Sequence, residues 1–186
     1  MSQGLRFNDE TDMYNGSPAV FTWKLLGKRE MYIPYNAFGL HGGDLRAGDI
    51  VGSEHISPDL ARYELHRVWV VEGTVKASAS AVNPLRGVAE RGHSYSKRVF
   101  YVDEDSWSIV LADNYDSEGE LWRFSEGHLI NYYHVPVPWY TLQTSYDFKQ
   151  RRYLVTGLDN QLGPYKFKTS INAIEFSPIA LDNYVR

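Results

Sequence analysis

The sequence predicts a mostly β protein built around one curved antiparallel sheet with few short helices. Between Lys97 and Gly127, two consecutive β-hairpin patterns surround turns rich in Asp, Ser and Gly, the residues that bend a chain for local reasons. Segments on both sides of these hairpins alternate apolar and polar residues with the period of two that is typical of strands. No segment has the sustained 3.6-residue periodicity of a long helix.

Composition places limits on the function. The 186 residues fit a single domain, 1–186, which buries about 70% of the surface of its unfolded chain. The net charge of −4 provides no basic field, so nucleic-acid binding is not expected. The chain has no cysteine, which excludes disulfides and thiol catalysis. No apolar run approaches the roughly 20 residues of a membrane span, so the chain is not expected to span a membrane.

The first part of the chain predicts a short start, two strands and a loop. Residues 1–18 have no strand or capping pattern and are expected to be flexible. Ala19–Tyr35 predicts a strand, a bend at Gly27 and Lys28, and a second strand that Pro34 ends because proline cannot donate to a ladder. Residues 36–52 contain five glycines and predict a loop. Ser57 and Pro58 are typical of the start of a short helix.

The longest predicted strand is Tyr63–Lys76. Its alternation places Trp69 on one face, and Gly73 predicts a bulge or bend in a curved sheet. Residues 77–96 are small and polar and predict a long connection.

The central hairpins give the most specific prediction. If both turns have an even number of residues, Val102 pairs with Trp107 and Tyr115 pairs with Glu120. Side chains then alternate in register across three strands, and a slip of one residue would separate the large ones. The face that collects them holds Phe100, Val102, Trp107, Ile109, Leu111, Trp122 and Phe124.

The remainder predicts one more hairpin and a loop-rich end. Pro136 and Pro138 remove two donors, so His128–Tyr140 predicts an extended crossing and not an inner strand. Tyr140–Phe148 and Arg152–Leu158 alternate around a basic turn and predict a third hairpin. Residues 159–186 predict a loop-rich segment in which 166–176 add a last strand.

The aromatic residues are the candidate binding residues. Each Trp can bury about 150–250 Å² without directional bonds, so a contiguous set on a single-layer sheet predicts a partner, a covering helix or a hydrophobic ligand. An ordinary sheet core remains the alternative for any single Trp. The predicted ligand-binding set is Trp23, Trp69, Phe100, Trp107, Ile109, Leu111, Trp122 and Phe124.

The sequence shows no catalytic constellation and predicts neither an enzyme nor a cofactor. The acidic turns lack the ligand order of a calcium loop and are interpreted as solvated turn residues. The six histidines lack metal-ligand spacing, so no metal site is expected; His66, in mid-strand beside Glu64 and Arg67, is interpreted as a hydrogen-bonded structural histidine. There is no nucleophile elbow, P-loop or dinucleotide fingerprint.

Several long motifs carry a resemblance to a known family. The segments LLGKREMYIPYN (25–36), RYELHRVWVVE (62–72), KRVFYVDEDSW (97–107), ADNYDSEGELWRFSEG (112–127) and VPVPWY (135–140) resemble the C-terminal part of a Gram-negative family of unknown function, described as outer-membrane lipoprotein-sorting-protein-like. The resemblance covers residues 21–158. It implies the C-terminal part of a longer periplasmic protein whose missing N-terminal part carries the signal peptide. The implied fold is an incomplete antiparallel β-barrel similar to the periplasmic lipoprotein carriers of the Lol system, and no site residue is carried over.

Three hypotheses follow from the aromatic face and the resemblance. The leading one is a periplasmic, non-enzymatic carrier of a hydrophobic small molecule or a lipoprotein acyl chain. The alternative is an envelope interaction module that docks a membrane transporter or an assembly partner through the same face or through an edge strand. The third, an enzyme acting on envelope polymers, would require a cleft with two buried carboxylates.

Overall fold

The part of the chain that the structure describes contains seven strands. The computed structural model describes residues 4–76, 93–162, 165–167, 170 and 172–180. The strands are β1 (Phe21–Pro34), β2 (Tyr63–Val75), β3 (Lys97–Asp103), β4 (Ile109–Tyr115), β5 (Leu121–Tyr132), β6 (Val137–Asp147) and β7 (Arg152–Thr156).

The strands make one antiparallel sheet in chain order, from β1 to β7. The sheet curls, so that β1 also contacts β4 and β5, which are not its neighbours in the ladder. It does not close, because β1 and β7 do not pair. Ala37, just after β1, donates its backbone N–H to the carbonyl of Leu129 in β5 at 2.9 Å. The predicted fold class, a curved and incomplete barrel with few short helices, is confirmed.

Four β-bulges interrupt the ladders. The extra residues are Leu26 in β1, Val110 in β4, Trp122 in β5 and Thr141 in β6. Bulges bend a strand and increase its twist, which accounts for the curl of the sheet. The predicted bend at Gly27 coincides with the bulge at Leu26, where Gly27 has a φ of 108°, but the prediction of two separate strands is wrong because β1 continues through this point. Of the bulge or bend predicted at Gly73, the bulge is wrong, because the ladders on both sides of Gly73 are regular.

The bulge at Val110 corrects the predicted grouping of side chains. The predicted pairs are wrong: Val102 pairs with Ile109 and not with Trp107, and Tyr115 pairs with Leu121 and not with Glu120. The extra residue Val110 then pairs Tyr101 with Leu111 and Phe100 with Ala112. Phe100 and Leu111 therefore lie on opposite faces. On β5, Phe124 lies opposite Asp113 and shares the face of Leu111, as predicted.

Two faces are defined by this register. The first face carries Trp23, Trp69, Phe100, Ala112 and Ser125; the second face carries Val70, Leu111, Phe124, Tyr146 and Tyr153.

Residues 4–16 cover part of the first face. Leu5 and Met13 are buried, and Asp9 accepts a hydrogen bond from Nη1 of the buried Arg98 at 2.9 Å. The buried Arg123 donates to the carbonyl of Gly4 at 2.6 Å. The prediction of a flexible start at residues 1–18 did not anticipate this packing.

The connection between β1 and β2 covers part of the second face. It contains a 3₁₀ turn (Phe38–Leu40) and the short helix α1 (Ala47–Ile50). Leu40, Ile50 and Ile56 pack with Leu142 of β6 in a second hydrophobic cluster, so a segment expected to be only a loop contributes to the core.

Two further expectations are wrong. Residues 128–140 form the paired ends of β5 and β6, with Tyr132 opposite Val137, and not an extended crossing. The last strand expected over 166–176 is absent from the described part of that segment, which holds a 3₁₀ turn at Ala173–Phe176 after the short helix α2 (Asp159–Leu162). The third hairpin, β6 with β7, is confirmed. Most of the predicted connection 77–96 lies outside the described residues. Among the helices described, none has the length and apolar content to cross a membrane.

Candidate functional site

The eight predicted binding residues do not form one surface. Trp23, Trp69 and Phe100 share the first face, whereas Leu111 and Phe124 share the second. Ile109 begins β4 next to the Val110 bulge, and Tyr140 donates its hydroxyl to the Ile109 carbonyl at 2.9 Å. The grouping on one face is wrong; the ligand-binding role of the individual residues stays a prediction.

At one end of the first face, the aromatic residues form a packed core. Trp23 stacks on Phe100 with ring centroids 5.9 Å apart, and Tyr14 from the N-terminal cover contacts both rings. Trp23 also donates its indole N–H to the Pro18 carbonyl at 2.8 Å. Tyr14 thus covers these rings, as a set of aromatic side chains on a single-layer sheet requires.

Trp107 and Trp122 lie away from that cluster. Trp107 sits in the turn between β3 and β4 with a φ of 56° and is 71% exposed. Trp122 occupies the β5 bulge, where its ring contacts Phe7 and Tyr95 edge to face and its N–H donates to Asp147 at 3.1 Å.

The second face carries a row of stacked rings across three strands. Phe124 of β5 stacks on Tyr146 of β6, and Tyr146 stacks on Tyr153 of β7 with centroids 5.3 Å apart. These residues are cross-strand partners in the register, which holds aromatic pairs at contact distance. We call this row the aromatic ladder.

A cavity of about 410 Å³ opens beside the aromatic ladder at the β6–β7 turn. Its lining is mostly apolar and includes the ring of Tyr146 and that of the half-exposed Phe148. Ligand sites in proteins are concave, measure about 300–1,000 Å³, and combine an apolar lining with a few polar groups. The remaining lining residues are Glu54, Asp147, Arg151 and Arg152.

The charges at this cavity favour an anionic group. Asp147 is buried and already accepts hydrogen bonds from Arg123 Nε at 2.8 Å and from the backbone N–H of Gln150 at 2.9 Å. Asp147 is therefore already paired within the fold, and Arg151 in the adjoining turn brings a cationic group to the cavity. Burial, together with nearby Glu126, raises the pKa of Tyr146 to about 12, so its hydroxyl is a neutral donor at physiological pH.

A different apolar surface lies on the first face, at the edge of the sheet. Tyr32 of β1 and Leu65 of β2 are cross-strand partners and are 68% and 59% exposed. Leu25 on β1 is exposed on the same face, where Lys28 lies over the Trp69 ring. We call Leu25, Tyr32, Leu65 and Trp69 the edge patch.

The cavity residues were not among the predicted binding residues, although the third hairpin and its basic turn were predicted. The available signal was the alternation of Tyr146 and Phe148 shortly before Arg151 and Arg152, which places aromatic and cationic groups at one end of a hairpin.

The comparisons with known proteins identify the family. A model of the family described as "protein of unknown function (DUF1329)" matches residues 1–182. The chain belongs to the DUF1329 family. It is 44% identical over 181 residues to the uncharacterised protein PA3922 of Pseudomonas aeruginosa, covering 97% of this chain and 37% of that protein. The chain thus spans little more than a third of that DUF1329 relative.

Solved structures give weaker matches. A domain from Vibrio parahaemolyticus described as an outer membrane lipoprotein-sorting protein aligns with 92% of this chain and 52% of its own, at a TM-score of 0.47 and 11% identity. A DUF1329 protein from Desulfovibrio piger aligns with 87% of this chain and 47% of its own, at a TM-score of 0.42 and 12% identity. A LolA superfamily protein from Nitrosomonas europaea aligns with 83% of this chain and 51% of its own, at a TM-score of 0.42 and 13% identity.

Proposed function

We propose that this DUF1329 chain is a non-enzymatic part of a cell-envelope protein and that it binds a hydrophobic ligand with an anionic end, such as a fatty acid or a lipoprotein acyl chain with its neighbouring anionic group. The cavity beside the aromatic ladder is the observation that carries the proposal, because it combines ring surface with the cationic side chain of Arg151. The motif resemblance described above supports a periplasmic location.

The cavity provides a distinct contact for each part of such a ligand. The rings of Tyr146 and Phe148 offer apolar surface to the chain, and burial of apolar area is the main source of its affinity. Arg151, in the turn, presents a guanidinium to a carboxylate or phosphate, a geometry suited to paired hydrogen bonds.

The first prediction tests this cavity with a fluorescent fatty acid. Phe148→Ala removes ring surface and should weaken binding by about tenfold, since about 1.4 kcal/mol of lost burial changes the dissociation constant by that factor. Arg151→Ala should weaken binding of the fatty acid but not binding of the corresponding fatty alcohol. Equilibrium fluorescence titration measures both effects.

Tyr133→Ala is the matched control, because Tyr133 is an exposed aromatic residue that does not line the cavity. The affinity of this variant for the fatty acid should stay within about twofold of that of the unsubstituted chain. Binding weaker than about 100 µM, or equal losses for Phe148→Ala and Tyr133→Ala, would rule out the cavity as the site. Mass spectrometry of gently purified protein should also detect bound lipid.

A second candidate function, docking of an envelope protein, is favoured by the edge patch. Tyr32 and Leu65 are exposed beside β1, a 14-residue strand whose outer edge meets no other strand among the described residues. An exposed edge next to apolar side chains is a site for another chain to add a strand.

The second prediction separates docking from ligand binding. A photo-crosslinker at Leu65 should form one defined protein adduct in cells, whereas the same crosslinker at Ile179, which is more exposed, should not. Leu65→Glu in a chain carrying the crosslinker at Tyr32 should abolish the adduct but leave fatty-acid affinity unchanged. If no adduct forms at Leu65, docking through the edge patch is excluded.

A further inference from the structure

Three potential metal ligands converge where β2 lies beside the end of β3. His66 is in β2, Asp103 is the last residue of β3, and Asp105 is in the turn that follows. His66 Nδ1 lies 3.8 Å from Asp103 Oδ1 and 3.6 Å from Asp105 Oδ2. The three ligand atoms all lie within 4.8 Å of one another.

Asp103 provides a second and independent indication of a ligand. Its side chain is fully buried. Oδ2 accepts hydrogen bonds from the backbone N–H and the hydroxyl of Ser106, at 2.8 and 2.6 Å. Oδ1 is buried, has no hydrogen-bond partner, and lies on the side of His66. A buried carboxylate oxygen without a partner is costly, so this atom calls for a hydrogen-bond donor or a cation.

His66 is oriented for the same position. Its ring stacks on Tyr35 with centroids 3.9 Å apart, and its Nε2 is 3.7 Å from Glu64 Oε2. Glu64 is held in turn by Asn36 Nδ2 and Arg62 Nε, each at 2.9 Å. In metal sites, a ligating histidine commonly directs its other ring N–H to a carboxylate, which leaves the lone pair of the first nitrogen for the ion.

We propose that His66, Asp103 and Asp105 bind a divalent transition-metal ion of the Zn²⁺ type. Two ligands about 2.1 Å from a tetrahedral ion lie about 3.4 Å apart, so the separations of 3.8 and 3.6 Å between His66 and the two aspartates need only small adjustments. One imidazole nitrogen with two carboxylates suits Zn²⁺ better than Ca²⁺, which prefers an all-oxygen shell. Two positive charges also neutralise the two carboxylates, including the buried one.

The site leaves at least one coordination position for water or another ligand. The Asp105 side chain is 65% exposed, which opens the site to solvent. Ser106 and Tyr35, which contact Asp103 and His66, line a neighbouring cavity of about 40 Å³. A cavity of that size holds one or two water molecules, and three protein ligands plus water is a common arrangement for an accessible zinc ion.

Calorimetric titration of the protein with Zn²⁺ alone tests the proposal. The unsubstituted chain should bind one ion with a dissociation constant of about 1 µM or tighter. His66→Gln and Asp105→Asn should each weaken binding by at least about tenfold. Asp105→Asn is the more secure variant, because the exposed side chain can change without disturbing the core. Co²⁺ in place of Zn²⁺ should give visible absorption bands that both substitutions abolish.

Glu104→Gln is the matched control. Glu104 lies between the two aspartates in sequence but pairs with Lys28 and Arg67, so its substitution should change the affinity for Zn²⁺ by no more than about threefold. An affinity weaker than about 100 µM, or tight binding that survives both His66→Gln and Asp105→Asn, would overturn the proposal and leave His66 as an ordinary ion-pair partner of the aspartates.

Discussion

Close approach between a glycine and an aromatic ring fixes part of the first face. A Cβ atom on Gly73 would lie 2.6 Å from the ring of Trp23, which covers this glycine across the β1–β2 ladder. The ring cannot move freely, because it is held by Phe100 and by its hydrogen bond to Pro18. Gly73 is therefore required by packing and not by a bulge.

The third prediction concerns this contact. Gly73→Ala should lower the free energy of unfolding by about 1–2 kcal/mol, because overpacking costs about 1–3 kcal/mol and exceeds the smaller gain from stiffening the unfolded chain. Urea unfolding measures the change. Gly48→Ala is the control: a Cβ there meets nothing within 4 Å, so this substitution should be neutral or slightly stabilising. Equal effects at the two glycines would contradict the packing argument.

At the scale of secondary-structure elements, ion pairs join the edge of the sheet to the β3–β4 turn. Glu104 accepts hydrogen bonds from Arg67 Nε at 2.6 Å and from Lys28 Nζ at 2.7 Å, and so connects the turn with β2 and β1. These hydrogen bonds lower the pKa of Glu104 from 4.5 to about 2, and the bond from Arg67 has the larger effect.

The fourth prediction is a pH dependence. Because the pKa of Glu104 is lower in the folded chain than in the unfolded chain, its stabilising contribution is complete above pH 4.5 and is lost as the pH falls towards about 2. Glu104→Gln should therefore reduce the loss of stability over this range, as measured by urea midpoints at several pH values. Asp44→Asn, at an exposed carboxyl group between β1 and β2, is the control. Parallel pH profiles for the unsubstituted and Glu104→Gln chains would contradict the prediction.

The strands were more predictable than the faces that they present. Alternation and turn residues predicted β2 and the central hairpins, because both signals are local. The bulge at Val110 is not marked by glycine or proline, and its single extra residue moved Phe100 away from Leu111. Val137 and Pro138 were misread because proline was treated as incompatible with pairing, whereas both residues pair with β5.

The candidate site was the less predictable part, for a physical reason. Phe124 was predicted, but its partners Tyr146 and Tyr153 come from strands whose register relative to β5 depends on another bulge, at Thr141. The cavity also depends on Glu54, which a distant connection brings to the β6–β7 turn. Contacts of this kind arise from tertiary packing, which periodicity along a strand does not encode.

At the scale of the whole molecule, the N-terminal cover is part of the core. Met13 is 3% exposed and belongs to a hydrophobic cluster that includes buried residues of several strands, among them Phe100 and Leu129. The fifth prediction is that Met13→Ala lowers the free energy of unfolding by about 2–5 kcal/mol, the usual range for removing a buried methionine side chain.

Ile179→Ala is the control for this substitution, because Ile179 is 75% exposed and its replacement should change stability by less than about 0.5 kcal/mol. Urea unfolding followed by tryptophan fluorescence measures both variants. A cost for Met13→Ala as small as that for Ile179→Ala would show that the cover does not contribute to the core in solution.

The cover also has a consequence for the order of events during synthesis. Leu5 accepts a hydrogen bond from Ser145, and Gly4 accepts one from Arg123, so both residues meet partners that are made more than a hundred residues later. Closing so long a loop is slow compared with forming neighbouring hairpins. During synthesis, Leu5 and Met13 therefore lack their partners in β5 and β6 until those strands have emerged, and apolar residues in that state are targets of chaperones.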